Sequence, residues 1–117
     1  TLFRRDLNEK SSVSADALGD YVDKTLNEIQ SNLYSQAHQF REDNTFTAEN
    51  YDDFKKIINS GGFVRCGWDG TESSEKQIKD DTKATIRCLP FDENPSGKQC
   101  ILTGNDAKHE AIFAKAY

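Results

Sequence analysis

Ala111-Ile112-Phe113-Ala114-Lys115-Ala116-Tyr117 closes the chain on one of its most apolar stretches. Chain ends normally fray and carry small polar residues, so an apolar, strand-like end implies that it is held in place and that the Tyr117 carboxylate is positioned. Other strands are legible upstream. Phe63 to Trp68 reads as a strand between Gly61-Gly62 and the turn Asp69-Gly70-Thr71. Ala84, Ile86 and Cys88 alternate with Thr85 and Arg87, a half-buried strand that Pro90 terminates. A further strand is expected at Cys100-Ile101-Leu102, between the loop Asp92 to Lys98 and the turn Gly104-Asn105-Asp106. The short connections make the sheet mainly antiparallel.

Three helices accompany it. Ser14 is a good N-cap, Asp16 sits in the first turn where the helix dipole favours it, and Val13 with Leu18 matches a hydrophobic staple, so a helix starts near Ala15. Leu18, Val22, Leu26, Ile29, Leu33, Ala37 and Phe40 form one stripe at helical period, and the helix ends near Asp43. Such a helix runs roughly 43 Å at 1.5 Å per residue, longer than the small domain after it, so Leu18, Val22 and Leu26 are expected to pack on a domain outside this sequence. A helical hairpin or dimer seam is the alternative. Thr47 is expected to cap a second helix, with Phe46 and Tyr51 as its staple, Tyr51, Phe54, Ile57 and Ile58 as its buried face, and Gly61-Gly62 as its end. A third helix, Glu72 to Asp81, carries Ile78 as its only large apolar residue and lies on the surface. Thr1 to Arg5 reads as a strand end and Asp6 to Ser12 as a polar connection, poorly ordered without sheet partners. The fold class is therefore α+β: a long N-terminal helix and two shorter helices packed on a small, mainly antiparallel sheet.

Composition narrows the function classes. Of 117 residues, 35% are hydrophobic and 30% charged, with a net charge of -5, which argues against gripping a phosphate backbone by counterion release. No apolar run has the length to span a bilayer, so a soluble, cytoplasmic protein without a membrane partner is expected. Methionine is absent, position 1 included, and the sequence is expected to be a piece of a longer frame.

No self-sufficient active site is legible. Cys66, Cys88 and Cys100 contain no C-x-x-C pair and each falls in an expected strand, where a free cysteine behaves as a small buried hydrophobe. His38 and His109 stand alone and read as solvated. Asp52-Asp53 and Asp80-Asp81 diverge on a helix and read as solvent-facing charge rather than a carboxylate dyad. There is no phosphate-binding loop, nucleophile elbow or dinucleotide fingerprint, and Gly61-Gly62 and Gly67 are spaced as punctuation.

Gly62-Phe63-Val64, then Thr82-Lys83-Ala84-Thr85-Ile86-Arg87-Cys88-Leu89-Pro90-Phe91, then Phe113-Ala114-Lys115-Ala116-Tyr117 together resemble the C-terminal extension of prolyl-tRNA synthetase, of the type found in archaea, eukaryotes and some bacteria. Upstream, Arg4-Arg5-Asp6 with Glu9-Lys10 looks like the final strand and loop of the anticodon-binding domain. Glu28-Ile29-Gln30 through Ala37, Phe40-Arg41 and Asn44 resemble the long helix after it. The resemblance implies two parts: 1–45, the end of the anticodon-binding domain (last strand, loop and long helix), and 46–117, the C-terminal domain. It implies a class II enzyme, a cytoplasmic homodimer that activates proline with ATP and magnesium and ligates it to tRNA(Pro). The machinery would lie before Thr1, leaving this fragment inactive alone and without a cofactor. Its partners would be the rest of the synthetase chain and, through it, tRNA(Pro), with Arg4 and Arg5 either touching that RNA or facing solvent. The resemblance also implies a zinc held by two cysteine pairs, one separated by four residues and one by two. Asp69, Ser74, Cys100 and Thr103 occupy those places, so zinc is expected to be absent, with Cys66 a displaced ligand if it is not. The C-terminal tyrosine, Tyr117, would point its carboxylate at the synthetase active site; otherwise Ala111 to Tyr117 is an edge strand sealing the small core. A module docking translation partners through Glu72 to Asp81 is the competing reading. A free-standing RNA-binding domain is disfavoured by the charge and by the lack of an aromatic and basic stripe.

Overall fold

The computed structural model describes residues 1–116 and divides into two compact units, 1–43 and 44–117. In the first, β1 (Leu2–Arg4) pairs antiparallel with β2 (Glu9–Ser11), Leu2 opposite Ser11 and Arg4 opposite Glu9. The turn between them is eased by Asn8, whose φ of 57° is one that Asn tolerates. The opening segment thus carries its own sheet partner, which corrects the expectation of an unpaired, poorly ordered Thr1 to Ser12. A 3-10 turn at Ala15–Ala17 leads into α1 (Leu18–Asp43). Ser14 has the extended backbone of a cap but its side chain makes no capping bond.

The inward face of α1 follows the apolar stripe only in part, with Val22 and Ile29 half-buried. Thr25 is its one buried residue among those described. On the same side Tyr21 meets Ser11 across 3.0 Å between hydroxyls, Arg4 donates to Glu28 at 2.7 Å, and Asn32 donates to Asp6 at 2.8 Å. Polar bonds seat the hairpin, whereas Leu18, Leu26, Leu33 and Phe40 are exposed.

The second unit contains β3 (Thr45–Phe46), α2 (Tyr51–Ser60), β4 (Phe63–Trp68), α3 (Glu72–Thr82), β5 (Ala84–Cys88) and β6 (His109–Lys115). Its sheet runs β3-β4-β6-β5, parallel only between β3 and β4. The terminal strand β6 is therefore interior, paired on both sides, and not an edge. Its alternation brings Ala111 and Phe113 into a core with Val64, Phe54, Ile58, Ile78 and Ala84; the Phe113 and Phe54 rings meet edge to face at 5.5 Å, a favoured aromatic geometry.

Both shorter helices are delimited by local chemistry. Asn50, not Thr47, caps α2: its side chain accepts from the Asp53 amide at 2.9 Å. Thr45 and Phe46 are drawn into the sheet beside Phe63 and Val64, so the chain reaches helical geometry only afterwards and the Phe46–Tyr51 staple does not arise. Tyr51, Phe54, Ile57 and Ile58 do form the inward face. Gly61, at φ 92°, ends the helix: its amide and that of Gly62 donate back to Ile58 and Ile57, each at 3.2 Å. Thr71 caps α3 by accepting from the Ser74 amide.

Two strand expectations change. Ile101–Thr103 is a turn, closed by Gly104 N–H donating to Cys100 O at 2.9 Å, and only isolated bridges at Gln99 and Cys100 remain of the strand. Cys88 is exposed, because a register shift between Ile86 and Cys88 breaks the alternation that would have turned it inward.

Candidate functional site

The end of β4, the first turn of α3 and the turn at 100–104 meet at one carboxylate. Asp69 Oδ1 accepts from Ser74 Oγ at 2.6 Å, Thr71 Oγ1 at 2.9 Å and the Thr71 amide at 3.1 Å, while Oδ2 accepts from Thr103 Oγ1 at 2.9 Å. Ser74 Oγ in turn accepts from Trp68 Nε1 at 2.9 Å. Asp69 is only 5% exposed. Burial works against its charge, but the bonds from Ser74, Thr71 and Thr103 outweigh it and hold the carboxyl at about 2. Of the four positions named from the resemblance, Ser74 and Thr103 thus each bond to Asp69; Cys100 is buried at the start of the same turn as Thr103. Cys66 is buried too, and burial, with Cys100 and Glu110 adding to it, pushes its thiol up to about 12. Among the described residues no group of three or more His, Cys, Asp or Glu is placed to hold a metal ion.

A second buried carboxylate lies on β6. Glu110, 3% exposed, accepts from Arg65 at 2.7 Å, from Lys98 and from the Asn94 amide at 3.2 Å. The Arg65 bond is the main reason its carboxyl sits low, at about 2, against the opposing pull of burial. The Glu110 amide donates to Glu93 at 3.0 Å, and His109 Nδ1 lies 3.3 Å from the other Glu93 oxygen. The loop Asp92 to Lys98 is thereby fastened to β4 and β6. Sequence reading missed Glu110; the available signal was a lone acid beside Ala111-Ile112-Phe113, which can be buried only if paired. A cleft of about 730 Å³ is lined by Tyr51, Arg65, Gly67, Lys98 and Cys100 among others.

Residues 51–117 match the family model for the prolyl-tRNA synthetase C-terminal domain. The chain belongs to that family. Similar proteins include the proline–tRNA ligases of Phocaeicola vulgatus (43% identical over 119 residues) and Cytophaga hutchinsonii (44% over 117), each match covering 99% of this chain and 24% of the relative. That of Azobacteroides pseudotrichonymphae is 45% identical over 114 residues, covering 97% of this chain and 23% of the relative. The chain spans about a quarter of the length of these curated relatives and corresponds to the C-terminal part of a proline–tRNA ligase.

Within this prolyl-tRNA synthetase C-terminal unit the last described strand is firmly seated. Arg87 donates to Ala114 O at 3.1 Å, and Lys115 donates to Asn59 at 2.8 Å. Tyr117 itself lies outside the described residues. In the first unit, Arg4 is held by Asp6 and Glu28, whereas Arg5 is exposed. His38 is exposed and His109 is half-buried against Trp68. Among the described residues no helix is long and apolar enough to cross a membrane.

Asp69 and Glu110 both contribute to the acid response, as does Asp6 of the first unit, whose carboxyl the bond from Arg4 holds at about 2. All three have carboxyls held below their ordinary values, to about 2, so the stability they contribute is complete above the ordinary carboxylate range and is lost as pH falls towards 2. Thermal melting of the 117-residue chain is expected to be flat from neutral pH to about pH 5 and to drop steeply below pH 4. A melting temperature unchanged between pH 5 and pH 2.5 would contradict these assignments.

Proposed function

We propose that this chain is the structural C-terminal appendix of a class II prolyl-tRNA synthetase, a cytoplasmic homodimer that activates proline with ATP and magnesium and charges tRNA(Pro). In that reading 1–45 ends the anticodon-binding domain, 46–117 is the C-terminal domain, and the chain supplies no catalytic residue of its own. Its contribution is positional: the Tyr117 carboxylate is presented to the active site of the complete enzyme. A fixed anion beside ATP and the prolyl amine can pair with a cation or orient a donor, an effect that grows when water is excluded.

The observation that carries this reading is the interior place of β6. A strand bonded on both sides, to β4 through Val64–Trp68 and to β5 through Ala84–Cys88, holds its direction up to Lys115, and the bonds from Arg87 and Lys115 add fixed points beside the chain end. The apolar residues Leu18 and Leu26, exposed here, then belong against the remainder of the anticodon-binding fold.

Deleting Tyr117 alone from the full-length enzyme is expected to reduce proline-dependent ATP–pyrophosphate exchange by roughly tenfold or more, the equivalent of about 1.4 kcal/mol in the barrier, with the melting profile unchanged. A rate that falls only in step with stability makes the strand a structural seal. An unaffected rate removes Tyr117 from activation and favours the docking role for α3. Absence of exchange in the intact enzyme refutes the synthetase reading of the whole protein.

A further inference from the structure

The four-cysteine zinc site that the resemblance implies falls on Asp69, Ser74, Cys100 and Thr103, and the donor chemistry there does not fit it. A structural zinc takes four ligands, chiefly thiolate and imidazole, in a tetrahedron. One thiol is present. The Ser74 and Thr103 hydroxyls are committed as donors to Asp69 rather than offering lone pairs to a shared centre. Both Asp69 oxygens are occupied, by four hydrogen bonds in all. Among the described residues no buried side-chain nitrogen or oxygen lacks a partner, so no polar atom here is left waiting for an ion.

We propose that Asp69 is the centre of a metal-free clasp that replaces zinc as the cross-link of this unit. A zinc ion would tie the segment after β4 to the turn at 100–104. The carboxylate ties the same two segments: Thr71 and Ser74 approach from the α3 cap, and Thr103 from a turn that lies 34 residues further along the chain. The Ser74 bond is short, at 2.6 Å, and all four have a charged acceptor, which makes such bonds about twice as strong as neutral ones. Trp68 braces the assembly through Ser74. Relieved of ligation, Cys100 becomes a small buried hydrophobe, its amide and carbonyl both used within the turn by Asn105 and Gly104. The clasp needs no metal supply and contains no thiolate, so neither chelators nor thiol oxidants can open it. This inference is independent of the role of Tyr117.

The test uses the intact synthetase. Zinc content by mass spectrometry is expected to be the same in the parent and in a Cys100→Ser variant, and amide exchange at 100–106 is expected to ignore a strong zinc chelator. One zinc equivalent lost with Cys100, or faster exchange at 100–106 under the chelator, overturns the proposal. Asp69→Asn is expected to accelerate exchange at 100–106 by roughly tenfold or more, because hydrogen bonds to a charged acceptor are among the costlier ones to lose. If that variant does not fold, Thr103→Val removes the bond to Oδ2, together with the one that Thr103 Oγ1 accepts from the Asn105 amide at 3.3 Å, at nearly constant volume, and the acceleration should then be confined to 100–106 and extend beyond the Asn105 amide itself. Unchanged exchange in the variant that folds overturns the clasp.

Discussion

Gly67→Ala is expected to cost the C-terminal unit about 2 to 4 kcal/mol, of which overpacking alone typically contributes 1–3 kcal/mol and a lost backbone hydrogen bond about 1. A Cβ at position 67 would lie 2.4 Å from the carbonyl oxygen of Gln99 and 3.0 Å from its carbon and from the Ala107 Cβ. The obstruction is main chain, so no rotamer change relieves it. Nor is the opposing segment free to retreat. Ile101 N–H donates to Gly67 O at 3.0 Å and Lys108 N–H to Trp68 O at 2.9 Å, which pins the 98–108 excursion to β4 on both sides, and Ala107 N–H donates to Lys98 O at 3.0 Å within it. Moving it away breaks the Ile101 bond and pulls Thr103 off Asp69 as well. Since domains are stable by only about 5–15 kcal/mol, the loss should be plain in a urea titration of the 117-residue chain followed by Trp68, the single tryptophan of the sequence. Gly61→Ala provides the contrast: a Cβ there meets nothing within 4 Å and the strain comes only from φ at 92°, so about 1 kcal/mol is expected. A Gly67→Ala midpoint as close to the parent as that of Gly61→Ala would refute the close-approach argument.

What could be read from sequence was what is decided within a few residues. The strand Phe63–Trp68 emerges with the bounds its flanking turns suggest, and Gly61 ends α2 because that position needs a left-handed backbone. The failures share a cause. Thr47 and Asn50 are both capping residues, and the choice between them was made by Phe46 pairing with Val64, a contact outside the local window. The strands Glu9–Ser11 and Thr45–Phe46 are too short to show any period. Cys88 obeyed the alternation on paper, but the bulge after Ile86 turned it to solvent. The apolar stripe of α1 was legible as a stripe. In this unit Val22 and Ile29 of the stripe are half-buried beside the buried Thr25, and Tyr21 and Asn32 add hydrogen bonds to the hairpin that no periodicity announces. For the site, spacing carried over from the family located Asp69, Ser74 and Thr103. It could not supply Thr71 or Trp68, because a hydroxyl cap and an indole N–H have no signature until the chain folds them onto the same carboxylate.

Glu110→Ala is expected to cost about 2 to 3 kcal/mol, below the 3–5 kcal/mol usual for breaking a buried ion pair, and the discount has a structural reason. The side chain of Glu110 is 4% exposed, whereas those of Arg65 and Lys98 are 28% and 44% exposed. Once the carboxylate is gone, both cations can turn to water, so the penalty is a lost anchor more than a stranded charge. The asymmetry reverses when a cation is removed instead. Arg65→Ala takes away the main donor that holds the Glu110 charge and leaves a buried anion with Lys98 and the Asn94 amide as its supports. Arg65→Ala should therefore destabilise at least as much as Glu110→Ala, although Arg65 is the more exposed partner, and the Glu110 carboxyl should titrate higher in that variant. Adding Glu110→Ala to Arg65→Ala should then recover part of the loss, since the double variant no longer buries an underpaired charge. Urea denaturation of the two single variants and the double variant at neutral pH gives all the terms of that comparison. Strict additivity of the two single losses would mean that the side chains act separately, and that the loop Asp92 to Lys98 is held by something other than the charge they share.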